Sequence, residues 1–251
     1  MSDKQMIAMV TGASSGLGAE YCRQLASRCK VIIAVARRAD RLESLREELA
    51  VQTEIVPVAA DLATVEGVTL ATEALRQKGP VDLLVNNAGI SAFGPYTDAG
   101  IDDQLRTVRV NIDALLVLSR AALPFMREAG GGTIVNVASI GAFLPMKDTA
   151  VYGASKAFVH SFSESLQNEV RADNIQVQCV CPGMTRTEIH DSDLFAGFDK
   201  TKVPDELWMS ADEVVAISLN ALDENAVTLV TGDQNVAMAR AAALATVASI
   251  Q

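Results

Sequence analysis

The chain has 251 residues, 49% of them hydrophobic, and a formal net charge of −10. That length and apolar content suffice for one sizeable core and exclude disorder as a whole-chain state. The acidic balance, with no long run of Lys or Arg, excludes the basic face of a nucleic-acid binder.

Short β-branched runs alternate with longer helical patterns along the chain. MIAMV (6–10) precedes a helix from about Gly16 to Ser27. VIIAVA (31–36) precedes DRLESLREELA (40–50), where Asp40 followed by Glu43 predicts a capping box. EIVPVAA (54–60) precedes a helix from Thr64 to about Lys78, and VDLLVNNA (81–88) precedes one long helical region over 101–129. TIVNVAS (133–139) leads to a helix from about Tyr152 to Ala172. IQVQCVCP (175–182) leads to an irregular segment and the helix 211–222, and AVTLVTG (226–232) is a last strand. The alternation predicts a single α/β domain over 1–251, a Rossmann-like doubly wound parallel sheet with helices on both faces. Such sheets bind ligands outside the carboxyl ends of their strands.

No stretch reaches the roughly 20 apolar residues that span a bilayer. The amino end carries too short an apolar run for a signal peptide. The Ala-rich tail 236–251, interrupted by Arg240, reads as a packed terminal helix. Cys22, Cys29, Cys179 and Cys181 match no zinc spacing and read as free thiols of a cytoplasmic protein. On a strand, Cys179 and Cys181 share a face. His160 on a helix and His190 in a loop lack partners for a metal site or a catalytic triad, and no metal is expected.

After the first strand, TGASSGLG (11–18) offers Gly12, Ser14, Ser15, Gly16, Leu17 and Gly18 as a turn into a helix amino end. Free N–H groups and the helix dipole favour an anionic pyrophosphate there. The competing reading is a glycine-rich turn that only packs helix on strand. The loop lacks the Lys-Ser/Thr ending of an ATP-type phosphate loop. At the end of the second strand, where an acid would hold the adenosine ribose, stand Arg37 and Arg38. Two guanidinium groups suit a 2′-phosphate and favour NADP(H) over NAD(H), unless they simply lie on the surface. Asp61, with Leu62 beside it, follows the third strand and is placed to meet the adenine.

TGASSGLG, NNAG (86–89), Asn111, Ser139, YGASK (152–156) and PG (182–183) occur in this order. Together they resemble the short-chain dehydrogenase/reductase family, in its smaller single-domain branch, over almost the whole chain. The resemblance implies Tyr152 as general acid/base, Lys156 as its activator and Ser139 as the hydroxyl that steadies the substrate oxygen. It implies that Asn111 kinks its helix and holds a water leading from Lys156. Asn87, Ala88 and Gly89 would pass the cofactor ribose, and Pro182, Gly183, Thr185 and Thr187 would border the nicotinamide and its phosphate. It also implies a homodimer or homotetramer built through the helices carrying Asn111 and Tyr152. Ser15 stands where many NADP-preferring relatives carry a basic residue, and TGDQN (231–235) replaces their Asp-Gly-Gly.

Independently of resemblance, Tyr152 and Lys156 at i and i+4 share a helix face. Moving a tyrosine down from a pKa of about 10 by about 3 units takes about 4 kcal/mol, which a nearby ammonium and an oxidised nicotinamide both favour. The expected function is NADP(H)-dependent hydride transfer with a carbonyl or secondary alcohol. A non-catalytic dinucleotide sensor or scaffold, and a lyase or isomerase on the same fold, stand as alternatives. Phe93, Phe143, Leu144, Met146, Leu194, Phe195, Phe198 and Trp208 are candidates to line an apolar substrate pocket, at least half of them belonging to plain packing. Segment 186–209 is long for a connection and is expected to be a lid. Its Glu188, Asp191, Asp193 and Asp199 read as a solvated face.

Overall fold

The computed structural model describes residues 6–191, 195 and 198–250; Asp193 and Leu194 lie outside them. The apolar runs form β1 (Met6–Thr11), β2 (Cys29–Ala36), β3 (Glu54–Ala59), β4 (Leu83–Asn86), β5 (Gly132–Val137), β6 (Ile175–Cys181) and β7 (Thr228–Val230). They pair in parallel in the order β3-β2-β1-β4-β5-β6-β7. The chain winds outward from β1 to β3, then returns to β4 on the other side of β1. That reversal opens a crevice at the carboxyl ends of β1 and β4.

The intervening helices are α1 (Gly16–Leu25), α2 (Ala39–Leu49), α3 (Val65–Lys78), α4 (Ile101–Val108), α5 (Ala114–Ala129), α6 (Ala150–Val170), α7 (Ala211–Asn220) and α8 (Asp233–Ala248). Strand periodicity divides the core in two. Ala8, Val10, Ile32 and Ala34 pack towards Tyr21, Leu25, Leu42 and Val214 of α1, α2 and α7. Ile7, Met9, Ile33 and Val35 pack towards Leu75, Leu118, Met126 and Leu166 of α3, α5 and α6. Central strands are therefore continuously apolar because both of their faces are covered. The edge strand β3 is less covered: only Ile55 is buried, with Val56 and Val58 half-buried and Glu54, Pro57 and Ala59 exposed.

Three local expectations change. The helical region 101–129 is two helices joined by a π turn, Arg109–Asp113. At α2, Arg38 is the N-cap residue and no side-chain cap forms. Asp40 already lies inside the first turn, where its charge complements the helix dipole instead of capping it. The reciprocal capping box sits at Ser210 and Glu213, opening α7. Finally, the carboxyl-terminal segment is helical but packs on the domain only through its first turns. Only Asn235 and Ala239 of α8 are buried, and Leu244 and Val247 are 73% and 67% exposed. Its alanines favour helix without gathering the apolar stripe that packing requires. Among the described residues, no helix is long and apolar enough to cross a membrane.

Candidate active site

The turn from β1 into α1 is shaped for close approach. Gly12 and Gly16 have φ of +69° and +54°, and a Cβ on Gly18 would fall 2.2 Å from the Gly12 carbonyl oxygen. The glycines let the turn close tightly on itself, on Asn87 and on Thr187 as it enters α1. Ser15 is the N-cap residue of α1 and makes no side-chain cap bond. Its hydroxyl instead accepts from Arg38 Nη2 at 2.8 Å, and the Ser14 hydroxyl accepts from Arg38 Nε and Nη2 at 3.3 and 3.2 Å. Leu17 packs back against the core.

Of the two arginines, only Arg38 is built into this loop. Arg37 is exposed and acts on Asp61 only through its field. Asp61 is less available than its position implied: its carboxylate accepts from Arg106 Nη2 at 2.6 Å and from the Ala63 N–H at 3.0 Å. These bonds hold its pKa below the usual aspartate value despite partial burial. The Leu62 side chain is buried in the core beneath.

The crevice wall on the β4 side is stapled by a residue that the sequence did not flag. The Thr11 hydroxyl accepts from the N–H groups of Asn87 and Ala88 at 3.0 and 2.9 Å, while Asn87 Nδ2 donates to the Thr11 carbonyl at 2.8 Å. Its position at the last residue of β1, facing β4, was the available signal. A Cβ on Gly89 would lie 3.3 Å from Lys156 Nζ and 3.5 Å from Asn111 Oδ1, so the NNAG segment runs directly over both groups.

Asn111 lies within the π turn. Its Oδ1 accepts from the Ile90 N–H at 2.9 Å, and its Nδ2 donates to the Ile90 carbonyl at 3.0 Å and the Ser155 hydroxyl at 2.9 Å. The widened turn aims this amide at α6 and the NNAG segment together, as π turns at functional sites do. Ser155 in turn donates to the Tyr152 carbonyl at 2.7 Å. The buried Lys156 donates to the Val137 carbonyl at 2.8 Å, and its Nζ stands 5.7 Å from the centre of the Tyr152 ring. Ser139 follows β5, accepts from the Gly141 N–H at 3.0 Å and hydrogen-bonds Tyr152. A Cβ on Gly141 would touch Ser139 Oγ, Met146 Cε and Tyr152 Cε1 within 4 Å, which places Met146 at the mouth of the same site.

Burial dominates the ionisation of both groups. It lowers Lys156 to about 8, against the opposing fields of Cys179 and Cys181. It raises Tyr152, with the Ser139 hydrogen bond offsetting part of the rise. In the protein alone, burial therefore favours the phenol over the phenolate expected with the lysine and an oxidised nicotinamide beside it. Cys179 and Cys181 do share a face, with sulfurs 3.8 Å apart beneath these groups.

On the far rim, the Pro182 carbonyl accepts from the Ile140 N–H at 2.8 Å, and Gly183 lies so close to the Asn235 amide that a Cβ there would fall 2.3 Å from it. The divergent TGDQN motif thus backs the Pro-Gly turn. Thr185 Oγ1 donates to the Gly183 carbonyl at 3.1 Å, and Thr187 brings its methyl to within 3.1 Å of the Cβ position of Gly16. Segment 186–209 leaves and returns at one neck, where the Arg186 N–H donates to Met209 and the Met209 N–H to Met184, each at 2.9 Å.

Phe195 and Phe198 of that segment form a ring cluster with Phe93 of the loop after β4, with centroids 5.6–5.7 Å apart. Phe143 packs instead against His160 at 4.7 Å, and Trp208 against Arg186 at 5.6 Å. A cleft of about 760 Å³ is lined in part by Thr187, Glu188, Lys200 and Trp208, and not by Tyr152. Glu188 is not merely solvated: Arg38 Nη1 donates to its Oε2 at 2.9 Å. Among the described residues, no group of three or more His, Cys, Asp or Glu could hold a metal ion.

A parallel doubly wound sheet, a glycine loop at its switch point, and Ser, Tyr and Lys converging at the adjoining rim define a dinucleotide-binding oxidoreductase. The family described as short chain dehydrogenase matches residues 6–194. The chain belongs to the short-chain dehydrogenase/reductase family. It is 33% identical over 185 residues to an uncharacterized oxidoreductase of Staphylococcus epidermidis, covering 73% of this chain and 80% of that one. A short-chain dehydrogenase from Sphingobium yanoikuyae in complex with NADPH superposes with a TM-score of 0.85, 31% identity and coverage of 98% and 96% of the two chains. A family member from Burkholderia phymatum in complex with NAD gives 0.83, 25% identity, and 96% and 93% coverage. The bulky-bulky ketone specific alcohol dehydrogenase from Comamonas testosteroni gives 0.81, 27% identity, and 98% and 95% coverage.

Proposed function

We propose that the protein is an NADP(H)-dependent oxidoreductase acting between a carbonyl and a secondary alcohol, with Tyr152 as general acid/base. The observation that carries this reading is the convergence of Ser139, Tyr152 and Lys156 on one rim, 13 residues and one helical turn apart in sequence. The nicotinamide, when bound, supplies or accepts the hydride. Gly12, Gly16 and Gly18 fold the turn tightly into the amino end of α1, whose free N–H groups and dipole suit the cofactor's pyrophosphate. Asn87, Ala88 and Gly89 line the ribose side, and Pro182, Gly183, Thr185 and Thr187 the nicotinamide side.

Ser139 orients the substrate oxygen, and Tyr152, held as a phenol by burial, is ready to donate a proton to it during reduction. Lys156 is tethered to β5 and brings its charge to the phenol when protonated. Asn111 fixes the turn that carries this layer. Met146 at the site mouth and Phe93 in the neighbouring ring cluster favour an apolar or mixed substrate.

The NADP(H) preference rests on Arg38 and on the lack of an acid at the end of β2. The NADPH complex of the Sphingobium relative agrees with it, and the NAD complex of the Burkholderia relative makes the test necessary. The test is titration with NADPH and NADH by nicotinamide fluorescence, then a panel of apolar ketones with the tighter cofactor. Tighter binding of NADPH and its oxidation by a ketone are expected. Preference for NADH would remove the 2′-phosphate contact, and a product with no net redox change would remove the oxidoreductase.

The four free, buried thiols fit a reducing, cytoplasmic setting. Exposed Leu105, Val117 and Phe158 on α4, α5 and α6 fit a homo-oligomer built through those helices, which light scattering would measure.

A further inference from the structure

Arg38 presents three nitrogens to the phosphate loop and its surroundings. Nε and Nη2 are taken by the hydroxyls of Ser14 and Ser15. Nη1, the remaining nitrogen, donates to Glu188 Oε2 at 2.9 Å, and Glu188 Oε1 faces Arg41 Nη1 at 3.7 Å. Arg38, followed by Arg41 and a hydrogen bond with Ser15, keeps the Glu188 pKa below the usual glutamate value, so the group is a carboxylate throughout the neutral range. Glu188 opens a 3-10 turn, Glu188–Asp191, at the start of segment 186–209, and its neighbour Thr187 rests on Gly16. An internal carboxylate therefore occupies the guanidinium edge that an incoming anion would need. Two anions on one guanidinium repel, so they compete.

We propose that Glu188 is a built-in competitor for the cofactor's 2′-phosphate and sets how strongly the protein discriminates NADP(H) from NAD(H). This rests on the reading of Arg38 as the phosphate contact. The phosphate, with a charge of roughly −1.5 to −2, displaces Glu188 from Arg38 and releases the first turn of segment 186–209. NAD(H) has only a hydroxyl at that position and leaves the Arg38–Glu188 pair closed. Cofactor identity is thereby transmitted to the segment that borders the nicotinamide side of the site. Glu188 acts through Arg38 and is a specificity-determining residue, not a catalytic one.

The test is a four-protein comparison of wild type, Glu188→Gln, Arg38→Ala and the double variant, each titrated with NADPH and with NADH by fluorescence. Glutamine keeps the shape of the side chain and removes its charge, and thermal melts check that each protein is folded. Glu188→Gln is expected to tighten NADPH about threefold or more, the scale of an exposed ion pair, with NADH unchanged or weaker. In the Arg38→Ala background that gain should vanish. Equal changes for both cofactors, no change for NADPH, or a gain that persists without Arg38 would each overturn the inference. If Arg38→Ala lowers the NADPH preference while Glu188→Gln changes nothing, the competitor alone is refuted. If Arg38→Ala leaves that preference intact, the phosphate contact falls, and the competitor with it.

Discussion

Lys156 Nζ donates to the Val137 carbonyl at 2.8 Å, and the same ammonium stands 5.7 Å from the centre of the Tyr152 ring. Val137 closes β5, and Ser139 follows two residues later. One hydrogen bond therefore ties the helix carrying Tyr152 and Lys156 to the strand delivering Ser139. A second bond between the same two elements, Asn136 Nδ2 donating to the Ser163 hydroxyl at 3.0 Å, and the Ser139–Tyr152 hydrogen bond complete the positioning.

Tyr152→Phe removes the hydroxyl that transfers the proton and leaves the ring packing intact. Turnover should fall by roughly 10²–10⁴-fold, the usual share of general acid–base catalysis, while NADPH affinity stays close to wild type. Steady-state oxidation of NADPH alongside fluorescence titration measures both, and undiminished turnover would refute Tyr152 as the acid/base.

Burial places Lys156 at about 8 in the folded chain, against 10.5 for an ordinary lysine. Between those values the unfolded chain binds more protons, so stability rises with pH in that window. Wild type should therefore gain on Lys156→Met by about 2 kcal/mol between about pH 7 and about pH 10. Urea unfolding of both proteins at the two pH values, without cofactor, measures the difference; a constant gap would mean the ammonium is not desolvated.

Gly18→Ala drives a Cβ to 2.2 Å from the Gly12 carbonyl oxygen, a backbone atom that cannot swing aside. The loop must distort, costing about 1–3 kcal/mol of stability and most of the affinity for either cofactor. Thermal melts and NADPH titration check this, and a variant that binds NADPH normally would show that the loop is not the phosphate cradle.

Tyr21 donates to the Ser218 hydroxyl at 2.7 Å, and Ser218 donates to Gln178 Oε1 at 2.7 Å, a fully buried relay joining α1, α7 and β6. Ser218→Ala leaves both ends unpaired and should cost about 2–3 kcal/mol, whereas Tyr21→Phe should cost about 1 kcal/mol. Chemical denaturation distinguishes them, and equal costs would mean that the relay does not act as a chain.

The alternation of elements was readable because each strand and helix follows from local pattern. Gly12, Gly16 and Gly18, placed between the first strand and a helix, announced the tight turn into α1, and Tyr152 and Lys156 announced a shared face. Thr11 went unnoticed because a threonine at a strand end has many uses, and only pairing of β1 with β4 turns it into a staple. Glu188 was read as a solvated acid because its partner Arg38 lies 150 residues away in the chain. The break at Asn111 was visible only as resemblance, since nothing in RVNID itself forbids a regular helix.

The sequence by itself determined the parallel sheet, the glycine turn and the helix face bearing Tyr152 and Lys156, because hydrophobic period and glycine conformation act over a few neighbouring residues. The tertiary structure alone decided that Arg38 and not Arg37 joins the glycine loop, that Glu188 pairs with it, and how burial biases the protonation of Tyr152 and Lys156. Those outcomes depend on desolvation and on hydrogen bonds between distant segments, and both exist only after the chain has folded.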